Sequence, residues 1–230
     1  MRCGPNGHIG LLSLQHYFLG TITGQTEDER PIVQFLNSAV RPGDVFFDVG
    51  ANLGFYSLYV GPLCGMTGAV HAFEANPTLI APLQASIALN IGSSQIHLNP
   101  VAVGRESNQN LRLYDPERVG CSSFYAHGWL NKASFIDVPV VMIDDYVSSK
   151  GITKIDGMKI DIEGAELEAF LGMDRTFEEC PPAFIICELM PSAVADRDQS
   201  AASPTDIIVH LGERGYRPFI PEQGTGKLRV

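Results

Sequence analysis

A chain of 230 residues, 45% of them hydrophobic and 18% charged, is long enough to bury the core of one sizeable α/β domain, and this composition excludes an intrinsically disordered protein. The formal net charge of −10 argues against a nucleic-acid partner, because binding to phosphate requires clustered Lys and Arg. The five cysteines lack a C-x-x-C pair, which argues against a zinc site or a disulfide framework, and no apolar run reaches the roughly 18 to 20 residues of a membrane span.

The N-terminal residues 1–40 are predicted to form a lid or helical segment ahead of the core. Acidic residues at 27–29 followed by Pro31 are typical of a helix start, because carboxylates stabilise the first turn and proline fits its first position. Apolar residues then recur at helical spacing until Pro42. We expect residues 41–230 to form the rest of a single domain, 1–230.

The stretch from Asp44 to Glu74 has the pattern of a nucleotide-binding βαβ unit. A short apolar strand ends at Asp48 and is followed by a glycine-bearing turn from Gly50 to Gly54. The turn leads into a helix and then into a second apolar strand, which ends at Glu74. Glycines allow a ligand to approach the backbone, and an acidic residue about 20 positions beyond such a turn can bind the two hydroxyls of a ribose.

The spacing of the glycines narrows the choice of ligand. A dinucleotide fingerprint is G-x-G-x-x-G, whereas here Gly50 and Gly54 are separated by three residues and Asn52 stands between them. Asp48 directly before the turn would repel a phosphate, but it would attract an ammonium group, directly or through water. A nucleoside that carries an amino acid, such as S-adenosylmethionine (SAM), therefore fits better than NAD.

The rest of the chain alternates between apolar strands and amphipathic helices. Predicted strands occupy 95–99, 101–104, 111–114, 135–141, 157–161 and 183–188, and predicted helices 77–90, 143–147, 165–172 and 204–214. Residues 216–220 and 227–230 are predicted to close the chain as an antiparallel hairpin. This order indicates an α/β fold with a doubly wound, mostly parallel, seven-stranded Rossmann-like sheet and a C-terminal antiparallel hairpin.

Four stretches together resemble the FkbM-type SAM-dependent methyltransferases of class I. They run from Phe47 to Leu58, from Phe73 to Pro77, from Val141 to Tyr146 and from Lys159 to Glu166, in the order and spacing of that family. The resemblance covers most of the chain, from about Asp44 to Glu188. It implies that the whole chain, 1–230, is one SAM-dependent methyltransferase domain.

The resemblance also implies which residues would hold the cofactor. The methionine part of SAM would lie on Asp48, Gly50, Ala51, Asn52 and Gly54. Glu74 would bind the ribose, with Ala75 and Asn76 beside the adenine. The other adenine face would be bordered by Asn99, Val101 and Ala102, and Asp161 would complete the set.

Candidate catalytic residues are Asp161, Glu163 and His127. The two carboxylates stand at the turn that in the family faces the transferred methyl group, and they would converge if extended geometry persists, because alternate residues of a strand share a face. His127 lies in a long loop, 115–134, that also holds Ser122, Ser123 and Trp129 and that we interpret as functional. Glu166 is expected to support the start of its helix. With Glu188 the carboxylates could instead hold a divalent cation, but nothing resembles a dedicated cage, and no metal is expected.

These features predict a cytoplasmic SAM-dependent methyltransferase that methylates a hydroxyl oxygen of a sugar or secondary metabolite. The expected partner is a small-molecule or glycan acceptor, without nucleic acid or a membrane span, and a homo-oligomer is left open. One alternative is an NAD-dependent or nucleotide-sugar oxidoreductase, which the glycine spacing and the lack of a Tyr-x-x-x-Lys pair disfavour. The other alternative is a non-catalytic SAM-fold binding subunit.

Overall fold

The structure is a computed structural model that describes residues 30–90, 95–114, 123, 134–189, 202–221 and 228–229. The predicted lid and the start of its helix lie outside these residues, as do His127, Ser122 and Trp129. Ser123 is described as an isolated bridge to Tyr114.

Ten strands and seven helices are found in the described part of the chain. The strands are β1 (Val45–Val49), β2 (Ala69–Phe73), β3 (Ile96–Asn99), β4 (Ala102–Val103), β5 (Asn110–Tyr114), β6 (Phe135–Val141), β7 (Gly157–Ile160), β8 (Ile185–Cys187), β9 (Ile220–Pro221) and β10 (Leu228–Arg229). The helices are α1 (Arg30–Ala39), α2 (Phe55–Cys64), α3 (Pro77–Leu89), α4 (Ile143–Lys150), α5 (Glu166–Leu171), α6 (Asp174–Glu179) and α7 (Pro204–Glu213).

The central sheet is parallel and has the strand order β3-β2-β1-β7-β8. Among the described residues this sheet has five strands, so the seven expected for the chain are not confirmed. The difference arises because β4, β5 and β6 pair with one another in a separate three-stranded sheet. The pair of β9 and β10 is antiparallel and also stands apart; of the strand predicted at 216–220, only Ile220 belongs to β9, and residues 216–219 form no strand.

The two faces of the parallel sheet are covered by different helices, as expected of a doubly wound fold. Successive strand residues point to opposite faces, so Phe47 and Val49 of β1 join one apolar cluster while Phe46 joins the other. The first cluster includes residues of α4, α5 and α7, and the second includes residues of α1, α2 and α3. The βαβ unit therefore lies at the middle of the sheet, with β1 between β2 and β7.

Local sequence explains how the elements after the strands begin. The carboxamide of Asn76 accepts a hydrogen bond from the backbone nitrogen of Thr78 at 3.0 Å, and Pro77 takes the first position of α3. Ser203 and Asp206 form a capping box at the start of α7. The first cap starts α3 at the edge of the sheet where the parallel strands end. The second cap starts α7, the last helix of the described residues.

No helix in the part of the chain that the structure describes is long and apolar enough to cross a membrane.

Candidate active site

A cleft opens at the carboxyl ends of β1, β2 and β7. Its space, mouth included, is about 620 Å³. Polar and apolar residues line it together: Val49, Gly50, Asn52, Phe73, Glu74, Ala75, Asn76, Leu79, Val101, Ala102, Val103, Leu113, Asp161, Ile162 and Glu163. This is the position at which open α/β sheets bind ligands.

The turn after β1 has a left-handed backbone at three positions. The φ angles are 80° at Gly50, 53° at Asn52 and 88° at Gly54. The backbone nitrogens of Gly50 and Ala51 donate to the carbonyl of Phe73 at 3.0 and 2.8 Å, so the turn is fixed to the end of β2. The fold therefore presents this turn to the cleft in one defined conformation.

The protein's own packing restricts both positions to glycine, in addition to the access to the backbone that a ligand would need. A Cβ atom on Gly50 would lie 1.9 Å from the carbonyl oxygen of Asp161. A Cβ on Gly54 would lie 2.5 Å from Cδ1 of Leu83. The glycines let the end of β7 and helix α3 close around the turn.

Glu74 at the end of β2 connects two backbone segments of the cleft. Its carboxylate oxygens accept hydrogen bonds from the backbone nitrogens of Asn52 at 2.6 Å and of Asn76 at 2.7 Å. Burial raises the pKa of Glu74, while the two N–H donors act in the opposite direction. Each oxygen keeps a second lone pair, so Glu74 can still accept from a ligand hydroxyl.

Asp48, which was expected to attract an ammonium group directly or through water, is fully buried and does not line the cleft. Strand alternation turns its side chain toward the face of the sheet covered by α2. There its Oδ2 accepts a hydrogen bond from Oγ of Ser57 at 2.5 Å, while its Oδ1 is buried without a partner in the described residues. Burial raises its pKa, and the nearby ammonium of Lys159 opposes that rise.

Asp161 and Lys159 form an ion pair at the end of β7. The Nζ atom of Lys159 lies 3.0 Å from Oδ2 of Asp161 and also donates to the carbonyl of Gly50 at 3.3 Å. Asp161 lines the cleft, whereas the Lys159 side chain is only 8% exposed. No role was predicted for Lys159 from the sequence, although the sequence shows it as a single charged residue inside the apolar strand β7.

Glu163 reaches the cleft from a left-handed turn. Its φ is 56° and that of Gly164 is 104°, so the extended geometry assumed from the sequence ends before Glu163. The Oγ of Ser123 donates to the carbonyl of Glu163 at 2.8 Å and so attaches the described residue of the long loop to this turn. Burial, reinforced by the charges of Asp161, Glu188 and Glu166, raises the pKa of Glu163 to about 7.

Two further carboxyl groups surround this turn. Oε1 of Glu166 accepts from the backbone nitrogens of Ile162 at 3.0 Å and Gly164 at 3.2 Å, so Glu166 holds the turn from the start of α5. Burial together with the charge of Asp161 raises the pKa of Glu188 to about 7, and the two side chains share a hydrogen bond. Two protonatable groups therefore titrate near neutrality beside the cleft.

The predicted site residues divide into those that line the cleft and those that do not. The lining group is Gly50, Asn52, Glu74, Ala75, Asn76, Val101, Ala102, Asp161 and Glu163. Asp48, Ala51, Gly54 and Asn99 lie behind it. Asn99 instead donates through its carboxamide to the carbonyls of Ala72 and His97, at 3.1 and 2.9 Å.

Sequence reasoning did not find the apolar part of the cleft wall. Leu79 of α3 and Leu113 of β5 line it together with Val103 and Ile162. Leu113 belongs to the separate three-stranded sheet, and the sequence holds no local signal for the approach of that sheet. Leu79 lies three residues after Asn76, the cap of α3. The sequence shows it in the apolar stripe of that helix, so its approach to the cleft could have been predicted.

The chain is similar to known methyltransferases over most of its length. A family model described as the methyltransferase FkbM domain matches residues 48–218. The 31-O-demethyl-FK506 methyltransferase FkbM of Streptomyces tacrolimicus is 27% identical over 163 residues, which is 59% of this chain and 61% of that protein. The hexuronic acid methyltransferase AglP of Haloferax volcanii is 24% identical over 185 residues, which is 80% of this chain and 68% of that protein. The chain thus spans between three fifths and seven tenths of the length of these relatives.

Solved structures give more distant likenesses. A precorrin-6y C5,15-methyltransferase from Geobacter metallireducens aligns with a TM-score of 0.48 and 15% identity, over 84% of this chain and 74% of that one. A fibrillarin from Aeropyrum pernix with natively bound SAM also aligns with a TM-score of 0.48, at 10% identity, over 82% of this chain and 64% of that one. Neither likeness is close enough to bear on activity.

The family match, which begins at Asp48 and includes the turns after β1, β2 and β7, covers more than half of the chain. The chain belongs to the FkbM-domain family of methyltransferases, whose cofactor is S-adenosyl-L-methionine.

Proposed function

We propose that the protein transfers the methyl group of SAM to a hydroxyl oxygen of a sugar or secondary-metabolite acceptor, and that residues 1–230 act as one domain. The observation that carries this proposal is Glu163, a carboxyl group on the cleft wall whose pKa lies at about 7. A base is most effective when its pKa lies near the working pH. A hydroxyl is a weak nucleophile, and it benefits from such a base more than a thiolate does.

The residues of the cleft fit SAM. When bound, SAM supplies a methyl group already activated by the positive charge of its sulfur. Its cationic groups suit a site where five carboxyl groups surround the buried ammonium of Lys159: Asp48, Glu74, Asp161, Glu163 and Glu188. Among these carboxyl groups, Asp48 keeps a buried Oδ1 that has no hydrogen-bond partner among the described residues.

The roles follow from position along the cleft. Glu74 accepts from the ribose hydroxyls through its remaining lone pairs, and Ala75 and Asn76 flank the adenine. Val101 and Ala102 border the opposite adenine face. Gly50 and Asn52 bring the methionine part to the end of β7.

Glu163 removes the acceptor proton in this proposal. Its ionised carboxylate would take the proton of the acceptor hydroxyl when that oxygen receives the methyl group that SAM supplies, with the carbon–sulfur bond broken and S-adenosylhomocysteine released, and the hydrogen bond from Ser123 keeps the turn in place. Asp161 lies beside Glu163 on the cleft wall and orients the acceptor hydroxyl. Much of the rate comes from holding the oxygen in line with the carbon–sulfur bond.

The names of two relatives support the chemistry proposed. One is a demethyl-FK506 methyltransferase named for an oxygen position, and the other is named for a hexuronic acid. O-Methylation and a sugar-like acceptor are thus each represented among proteins of similar sequence.

The test is transfer of isotopically labelled methyl groups from SAM to a panel of glycans, sugar acids and macrolide alcohols. With an accepted substrate, Glu163→Gln should lower the turnover number by roughly 10²- to 10⁴-fold, the usual contribution of a general base. Its affinity for S-adenosylhomocysteine, measured by calorimetry, should stay within about twofold. Glu178→Gln, on an exposed position of α6, is the matched control and should keep full turnover.

Two outcomes would contradict the proposal. Full turnover in Glu163→Gln would remove Glu163 as the base. SAM binding without transfer to any alcohol on the panel, together with transfer to a thiol or amine, would replace the hydroxyl acceptor.

A further inference from the structure

Lys159 is a charged residue within an otherwise apolar strand at the middle of the sheet. Its neighbours in β7, Met158 and Ile160, are fully buried, and the Lys159 side chain itself is 8% exposed. Moving an ammonium group out of water costs several kcal/mol unless partners compensate for the lost hydration. The contacts of the Lys159 ammonium group therefore indicate why a charge is kept at this buried position.

The ammonium group joins two segments that the chain brings together from far apart. It donates to the carbonyl of Gly50 in the turn after β1, at 3.3 Å, and to Oδ2 of Asp161 after β7, at 3.0 Å. It also lies 5.1 Å from the centre of the Tyr56 ring at the start of α2. These contacts reach three parts of the chain: the turn after β1, the end of β7 and helix α2.

The electrostatic surroundings of Lys159 are almost entirely acidic. Asp48 is its register partner on β1 and lies on the same face of the sheet. The charge of Lys159 lowers the pKa of Asp48, Glu74, Glu163 and Glu188, each against the stronger effect of burial.

Charges from the other elements act on Glu163 in the opposite direction. Asp161, Glu188 and Glu166 each raise its pKa. The positive charge of Lys159 lowers the pKa of Glu163 and so acts against these acids.

We propose that Lys159 is a positioning residue of the methyl-transfer site, which holds the Gly50 carbonyl and the Asp161 carboxylate in one arrangement and offsets the charge of the surrounding acids. This role of Lys159 rests on the proposed function at one point only, the assignment of Glu163 as the base. Lys159 acts through Gly50, Asp161 and Glu163 and does not itself touch the acceptor. Without it, the glycine turn loses a tether and Glu163 ionises only at higher pH.

The decisive experiment is an NMR titration of ¹³C-labelled glutamate carboxyl groups, with the Glu163 signal assigned from Glu163→Gln. In Lys159→Met the midpoint of Glu163 should rise by at least about half a pH unit, because a nearby positive charge has been removed. In Lys159→Arg, which keeps the charge, it should stay within about 0.2 units. Lys154→Met, which removes the charge of an exposed ion pair with Asp156, is the control and should leave the midpoint unchanged.

Calorimetry with S-adenosylhomocysteine tests the tether separately. Affinity should fall about tenfold in Lys159→Met, as expected for losing a charged hydrogen bond that holds the turn, and should be largely recovered in Lys159→Arg. An unchanged Glu163 midpoint, or an unchanged affinity, in a folded Lys159→Met protein would overturn the proposal. If that variant does not fold, a crystal structure of the wild type in which Nζ contacts neither Gly50 nor Asp161 would overturn it.

The two proposals fail in different ways. A wild-type protein that binds S-adenosylhomocysteine but methylates no alcohol would overturn the proposed function and leave the Glu163 titration intact. A wild-type protein that methylates an alcohol, with a Glu163 midpoint indifferent to Lys159→Met, would overturn only the role of Lys159.

Discussion

A carboxylate oxygen of Glu74 lies 2.6 Å from the backbone nitrogen of Asn52, which precedes it by 22 residues. The hydrogen bond joins the end of β2 to the left-handed residue of the turn after β1. The second oxygen of Glu74 accepts from Asn76 at 2.7 Å, at the start of α3. One buried side chain thus fixes the two backbone segments that face each other at the floor of the cleft.

Glu74→Gln should reduce affinity for S-adenosylhomocysteine by roughly 1 to 3 kcal/mol, a factor of about 5 to 150. A carboxamide keeps one acceptor but turns an NH₂ group toward the other backbone N–H, which leaves a buried donor without an acceptor. Calorimetry measures the affinity, and thermal unfolding should show a lower Tm. The same change at the exposed residue Glu106 is the control, and an unaltered affinity in Glu74→Gln would refute the ribose assignment.

Gly50→Ala should abolish cofactor binding and destabilise the fold strongly. Its φ is 80°, and the new Cβ would lie 1.9 Å from the Asp161 carbonyl oxygen, so the backbone of β1 or β7 must move. Gly215→Ala is a matched control, because its φ is 88° but no atom lies within 4 Å of the added Cβ. The control should lose only the roughly 1 kcal/mol of left-handed strain, measured by denaturant unfolding. Equal losses in the two variants would show that the contact with Asp161 is unimportant.

Glu163→Gln should change how stability depends on pH. The folded-state pKa of Glu163 is raised from 4.5 to about 7, so the folded protein binds an extra proton between these values and loses stability as pH rises through that window. The glutamine variant lacks this loss. Relative to wild type it should gain on the order of 1 to 3 kcal/mol between pH 4.5 and pH 8, measured by denaturant unfolding. Glu188, whose pKa is also raised to about 7, should keep part of the pH dependence of stability in the variant. The same slope of stability against pH in wild type and in Glu163→Gln would contradict the raised pKa of Glu163.

Asp144→Asn should lower stability and leave cofactor affinity unchanged. Oδ1 of Asp144 accepts from the backbone nitrogen and from the hydroxyl of Thr176, both at 2.7 Å, and Oδ2 accepts from the backbone nitrogen of Arg175 at 3.0 Å. Asp144 therefore caps α6 from the start of α4, and replacing one oxygen by NH₂ should cost about 1 to 3 kcal/mol. Asp145→Asn, at a more exposed side chain, should cost less. A large loss of S-adenosylhomocysteine affinity would contradict this structural role.

The chain-local parts of the fold could be predicted from the sequence. The βαβ unit is visible because strand, glycine turn, helix and second strand follow one another within 30 residues or so, each with its own local signal. Helix α3 was predicted almost to the residue, since Pro77 starts it and it ends at Leu89. Helix α6 was missed because its cap, Asp144, lies thirty residues earlier in the chain.

Side-chain direction and sheet membership were harder to predict. Strand alternation could have shown that Asp48 shares a face with Phe46 and is turned away from the cleft. The left-handed backbone of Glu163 was not predictable from an isolated glutamate, although Gly164 beside it marks a turn. The division of strands between the parallel sheet and the sheet of β4, β5 and β6 depends on pairing between distant residues, for which the sequence has no local signal.

The central pairing of β1 with β7 has a consequence for how the protein folds. Val49 is paired with Ile160, so the middle of the sheet closes only after more than a hundred residues have been made and ordered. Such long-range closure slows folding, because a large loop loses its freedom before the contact is gained. A nascent chain that stops before Gly157 has no Asp161 carbonyl against which the Gly50 turn can rest. We expect ribosome-bound fragments of that length to retain no cofactor, and the ability to bind it to be acquired abruptly once β7 has left the exit tunnel.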